Sequence, residues 1–152
     1  MLGLADYLRA LGKAPIVVLP DQYPDFLKWL PTIEKAIRFD RSPNLATEQL
    51  KNADLIACLD YCDFSRAERM GEIIQAAKAR KLVIDHHENP SIETDWLISH
   101  PELSSTCELV ARCIIDMGGE KMLNRRSAAC LYCGMMTDTG GFTYSSTRPE
   151  IY

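Results

Sequence analysis

The short apolar run Leu82-Val83-Ile84 ends abruptly on Asp85-His86-His87. A run of this length and branching reads as a buried strand. Upstream, Asp54-Leu55-Ile56-Ala57-Cys58-Leu59-Asp60 has the same form, an apolar strand that also ends on an acid. A helical stretch lies between the two. Ser65 and Glu68 have the spacing of a capping box, and Met70, Ile73, Ile74 and Ala77 share one face. Lys78, Arg80 and Lys81 gather at the end of that stretch, where cations suit the helix dipole. Strand, helix and strand in this order imply an α/β domain with a mostly parallel sheet.

The rest of the chain continues the pattern. Leu4, Leu8 and Leu11 recur at helical spacing and Gly12 is a natural stop. Pro15-Ile16-Val17-Val18-Leu19-Pro20 reads as a buried strand, residues 24–30 as a short helix opened by Pro24, and Ala36 to Phe39 as a second strand. Asn44 to Lys51 reads as a helix and Trp96 to Ile98 as a short strand. Ser105-Thr106-Cys107-Glu108 is a second capping box, opening a helix that ends near Gly118-Gly119. Asn124 caps a helix through Met136, and the chain then enters Thr137-Asp138-Thr139-Gly140-Gly141-Phe142, where Asp138 reads as the start of a glycine-rich turn. The 152 residues fit one domain of ordinary size.

Charge and cysteine content narrow the function. With 17 basic and 21 acidic residues the net charge is −4, so a broad surface for duplex DNA is not expected. A local phosphate site remains open, because bound metal ions can supply the positive charge. The first ten residues read as an amphipathic helix rather than a leader, and no apolar run reaches spanning length. A cytoplasmic protein with reduced, buried thiols and no membrane partner is the expectation. Cys130-x-x-Cys133 invites a zinc or redox reading, but it lies inside the apolar run Ala128 to Met136 and lacks a second pair. It therefore reads as core.

In open α/β sheets, ligands bind beyond the carboxyl ends of the strands. Asp60 and Asp85 both sit there, two histidines follow Asp85, and Asp138 follows an apolar segment. One such acid alone would more often be a helix cap or a solvated loop residue. Asp138 before Thr-Gly-Gly also reads as an Asx-turn, and Ser105 most economically as a helix cap. Three acids with His-His at one edge shift the balance to a metal site. Carboxylates with imidazole suit Mn²⁺ or Mg²⁺ better than a thiolate-type zinc site.

Asp85-His86-His87-Glu88-Asn89-Pro90 resembles the signature of the DHH phosphoesterases. Leu55 to Asp60, Ser104-Ser105-Thr106-Cys107-Glu108-Leu109-Val110, Thr137 to Phe142 and the stretch Phe142 to Pro149 resemble further motifs of that family in the same order. The similarity extends from Gly3 to Pro149, and the subgroup most similar hydrolyses short oligoribonucleotides and 3′-phosphoadenosine 5′-phosphate. The resemblance implies a three-layer α/β domain, a mostly parallel sheet flanked by helices. It also implies two Mn²⁺ ions, with Mg²⁺ as the alternative, and a hydroxide activated between them. Asp60, His86 and Asp138 would be metal ligands. His87 would stand beside the reacting phosphate, and Asp85 would hold the histidines in place. Ser105 and Thr106 at a helix start, and Arg66, would contact the substrate. Alternatives are a cyclic dinucleotide phosphodiesterase, a RecJ-type single-strand exonuclease, or an inactive binding module.

Against the family pattern, the chain opens on what resembles the helix after the first motif. The expectation is a partial domain over residues 1–152, lacking the first strand, its metal ligands and the C-terminal substrate-binding domain. Weak Mn²⁺ binding, little hydrolysis and an open apolar sheet edge would follow, the last inviting aggregation or a homodimer.

Overall fold

Strand β4 (Arg80–Asp85) organises the fold, because its two faces point into different cores. Val83 and Ile84 are 0% and 3% exposed, on opposite sides of the pleat. Val83 packs with Ile56 and Cys58 of β3 (Leu55–Leu59), Leu50 of α2 (Pro43–Asn52), and Met70 and Ile74 of α3 (Glu68–Ala76). Ile84 packs with Tyr7 of α1 (Leu2–Ala10), Leu109, Val110 and Ile114 of α4 (Thr106–Asp116), and Leu131 of α5 (Arg125–Asp138). The result is three layers, with α2 and α3 on one face of the sheet and α1, α4 and α5 on the other. The computed structural model describes residues 1–61, 63, 68–88, 93–145 and 147–151. Cys62, Arg66, Ser65 with its capping box, and Asn89-Pro90 lie outside the described residues.

Every strand pair among the described residues is parallel. β3 and β4 pair with Leu59 opposite Ile84, and β4 pairs with β5 (Trp96–Ser99) with Asp85 opposite Ser99. β1 (Val18–Leu19) and β2 (Ile37–Arg38) form a separate two-stranded ladder. The strands are therefore split into two parallel groups, while α2 packs on both β2 and α3. β3 pairs only with β4 among the described residues, and Leu55 is 47% exposed at that edge. At the other edge Trp96 and Leu97 are similarly open, with Arg80 stacked 5.4 Å from the Trp96 ring centre. No described helix is long and apolar enough to cross a membrane.

Local chemistry sets the helix ends. Residues 24–30 form only a single 3₁₀ turn, Asp25–Leu27. Ser105 caps α4 by accepting from the amide of Cys107. Glu108 does not close the expected box on Ser105. Its carboxylate accepts from the amide of Ser104 at 3.1 Å and from Arg112 at 2.7 Å. Asn124 and Ser127 make a reciprocal capping box on α5.

α5 runs two residues past Met136, so Asp138 ends a helix instead of beginning a turn. The reason lies in the threonines. Thr137 Oγ1 donates back to the Cys133 carbonyl at 3.0 Å and Thr139 Oγ1 to that of Met135 at 2.7 Å, keeping polar, β-branched residues inside the helical turn. Gly140 then takes φ +59°, and the Gly141 amide bonds the Met136 carbonyl at 2.7 Å, a Schellman stop.

α4 and α5 meet at Gly134. A methyl group built there would overlap Cys107 Sγ and lie 3.0 Å from Cys107 Cβ. Helix propensity alone favours alanine over glycine by about 1 kcal/mol. Overpacking costs about 1–3 kcal/mol and outweighs it. Gly134→Ala should therefore lower the free energy of unfolding by up to about 2 kcal/mol, and Cys107→Ala in the same chain should recover most of the loss in urea denaturation.

Cys130 and Cys133 are buried on α5 against Leu30 and Ile33, and burial raises both thiols from their ordinary range. Cys58 is pushed up to about 11, chiefly by burial. The unfolded chain releases the Cys58 proton nearer the ordinary value of 9.0, so above that pH the unfolded state binds fewer protons and stability falls until the folded thiol also ionises. Denaturation midpoints measured from pH 8 to about 11 should decline, and Cys58→Ala should flatten the decline.

Candidate metal centre

The site begins where the β3 and β4 ladder ends. The amide of Asp60 donates to the Ile84 carbonyl at 3.0 Å, one step beyond the last strand pair. Asp60 itself has φ +60°, a left-handed conformation that aspartate tolerates better than most residues but that still costs on the order of 1 kcal/mol. The turn brings the Asp60 carboxylate to the same edge as the residues after β4. Asp60 Oδ1 lies 3.8 Å from His86 Nε2 and 3.6 Å from His87 Nδ1. Asp138, at the end of α5, places Oδ2 3.6 Å from His86 Nε2.

Each imidazole is oriented through Nδ1. His87 Nδ1 contacts Asp85 Oδ1 at 2.7 Å, and the same oxygen accepts the His87 amide at 3.0 Å. Asp85 is fully buried, and its Oδ2 has no hydrogen-bond partner among the described residues. His86 Nδ1 meets the Leu103 carbonyl at 3.2 Å. Asp85 therefore orients one histidine and the 103–104 loop orients the other. Because a carbonyl can only accept, and Asp85 is an acceptor when ionised, both neutral rings carry their proton on Nδ1 and offer a lone pair at Nε2.

The remaining candidates are placed as follows. Thr106, 6% exposed, donates its hydroxyl to Asp60 Oδ1 at 2.9 Å. Ser105 spends its side chain on the cap of α4. His100 stands apart, half exposed and paired with Glu102 at 2.7 Å. Sequence reasoning gave no notice of the Leu103 carbonyl, of Glu108 as a brace for the loop, or of Thr106 bonded to Asp60. The Glu108 and Arg112 spacing was a readable ion-pair signal. A hydroxyl meeting a carboxylate 46 residues away had none.

The donor set fits a divalent cation. Asp60, His86 and His87 each offer a ligand atom, all within 4.8 Å of one another. Among the described residues, the ion-pair partners of Asp60 and Asp138 are imidazoles alone, which carry charge only when protonated. Asp138 also stands at the negative end of the α5 dipole, where a carboxylate is disfavoured without a positive neighbour. Oxygen and imidazole donors, with no thiolate among the described residues of the cluster, are the chemistry that suits Mn²⁺ or Mg²⁺. Long-range ¹H–¹⁵N NMR of the metal-free protein near pH 8 should show His86 and His87 as Nδ1–H tautomers. Asp85→Asn should mix the tautomers of His87 and leave His86 unchanged.

Comparison with known proteins identifies a family. The DHH family, N-terminal domain, matches residues 1–135. The chain is 31% identical over 96 residues to the bifunctional oligoribonuclease and PAP phosphatase of Bacillus subtilis, covering 62% of this chain and 30% of that protein. It is 29% identical over 151 residues to the Thermus thermophilus protein of the same name, covering 99% and 41%. The crystal structure of an exopolyphosphatase-related protein from Bacteroides fragilis superposes with a TM-score of 0.96 and 44% identity, covering 99% of this chain and 44% of the other. The chain thus spans less than half the length of each of these relatives.

Proposed function

The chain belongs to the DHH family, and from that premise we propose that it carries the metal-binding face of a phosphoester hydrolase acting on short oligoribonucleotides and 3′-phosphoadenosine 5′-phosphate. The convergence of Asp60, His86 and His87 within 4.8 Å, with Asp138 beside His86, carries the reading. The two relatives named for both activities support the substrates.

Asp60, His86 and Asp138 are the ligands in this proposal. Two divalent ions, Mn²⁺ before Mg²⁺, supply charge at the phosphoryl oxygens and acidify a water when bound. His87 keeps its Nδ1 proton against Asp85, which leaves Nε2 as the atom that accepts or returns a proton at the phosphate. Buried Asp85 fixes the plane of that ring. The first amides of α4 cannot be satisfied within the helix, and the helix start at Ser105 and Thr106 is the donor for a second phosphate oxygen. Likeness to an exopolyphosphatase-related protein favours a second substrate class, a linear polyphosphate.

Titration of the 152-residue chain with Mn²⁺, followed by water-proton relaxation, tests the ligands. Saturable binding should weaken about tenfold or more in Asp60→Ala and in His86→Ala. Binding indifferent to both substitutions would overturn the site. Assays with Mn²⁺ on a diribonucleotide, the adenosine bisphosphate and polyphosphate separate the substrates. Turnover of polyphosphate alone favours the second class, and metal binding without turnover of any of them marks a binding module.

A further inference from the structure

The start of α4 holds a side chain that the ligand set does not use. Thr106 is 6% exposed, and its hydroxyl lies 2.9 Å from Asp60 Oδ1. Asp60 needs such a restraint more than the other acids. Its backbone is left-handed, its side chain is 51% exposed, and its ladder bond to Ile84 fixes the backbone but not the carboxylate. Oδ1 is also the oxygen nearest both imidazoles.

We propose that Thr106 is a positioning residue that aims the Asp60 carboxylate into the metal centre, by donating its hydroxyl proton to Oδ1. The proposal rests on the site reading above and assigns the Thr106 hydroxyl to the protein, not to the substrate. A threonine hydroxyl has one proton to donate, and the Asp60 carboxylate is its acceptor here. The geometry of α4 maintains the contact. Ser105 caps the helix, Cys107 is seated against Gly134, and Glu108 braces the Ser104 amide, so Thr106 is fixed on both sides. The side chain reaches a strand end from another layer of the fold, which leaves Asp60 few rotamers to explore.

Thr106→Val removes the donor with little change of volume, and Thr106→Ser keeps it. In the Mn²⁺ titration without substrate, the valine variant should bind about tenfold more weakly, while serine should stay within about threefold of the parent. Crystal structures of both metal-free variants give a second readout. The Asp60 carboxylate should turn away from the α4 side in valine and keep its place in serine. Parental Mn²⁺ affinity in the valine variant overturns the proposal, as does weakening of the adenosine bisphosphate complex alone, which would mark a phosphate contact. An unmoved Asp60 in the valine crystal overturns it too. If the parent binds no Mn²⁺, the metal reading itself has failed, and the crystal structures still decide whether Thr106 aims Asp60.

Discussion

Leu59 lies opposite Ile84, and the amide of Asp60 carries the parallel ladder one step further onto the Ile84 carbonyl. That register is the constraint from which the site follows. It sets Asp60 beside the residues after β4, and it requires Cys58 and Val83 to point into one core while Ile84 points into the other. A slip of one residue would send both hydrophobic sets to the wrong faces and carry Asp60 away from the histidines. The buried pair Val83 and Ile84 therefore protects the candidate metal centre without touching it. Each fully buried aliphatic side chain contributes about 1.5–3 kcal/mol, enough to make the alternative register uncompetitive.

Around that ladder end, two helices meet the acids with opposite polarity. α4 presents its amino end to the Asp60 side, where a carboxylate is welcome, and Thr106 adds a hydrogen bond. α5 presents its carboxyl end at Asp138, where a carboxylate is not. A cation between them would relieve the second arrangement and leave the first intact. The imidazoles occupy the intermediate position, each with its proton committed on Nδ1 and a lone pair on Nε2. The Asp85 carboxylate is fully buried, with one oxygen on His87 and the other without a partner among the described residues.

Much of this was legible in the sequence, for reasons that differ by element. β3 and β4 announced themselves because Leu55 to Leu59 and Leu82 to Ile84 are continuously apolar, and the acids at their ends stood out against that, although Leu55 and Ala57 of β3 are exposed. The Asn124 cap and the Gly12 and Gly118 stops were readable because capping chemistry is local. α5 was read two residues short, because threonine has low helix propensity and the bonds from Thr137 and Thr139 back to their own helix leave no mark in a propensity scan. Residues 24–30 looked more helical than the single turn they form. The split between the β1–β2 ladder and the β3–β4–β5 ladder is a matter of tertiary pairing, which two-residue strands cannot encode alone. At the site, Asp60, Asp85, His86, His87 and Asp138 were found from their places in the pattern. The Leu103 carbonyl, a backbone group in a loop, carries no side-chain signature at all.

The contact of Cys107 with Gly134 has a mechanical meaning beyond its packing. Two helices in van der Waals contact can still creep along one another, because many side chains offer nearly equivalent seats. A sulfur pressed against a bare helix backbone offers one seat. Since Thr106 of α4 bonds Asp60 and α5 ends at Asp138, any creep would shift the hydroxyl that holds one acid relative to the helix that carries the other. The missing carbon at Gly134 thus leaves a notch that seats α4 against α5, and a packing contact outside the site helps hold the Thr106 hydroxyl where Asp60 meets it.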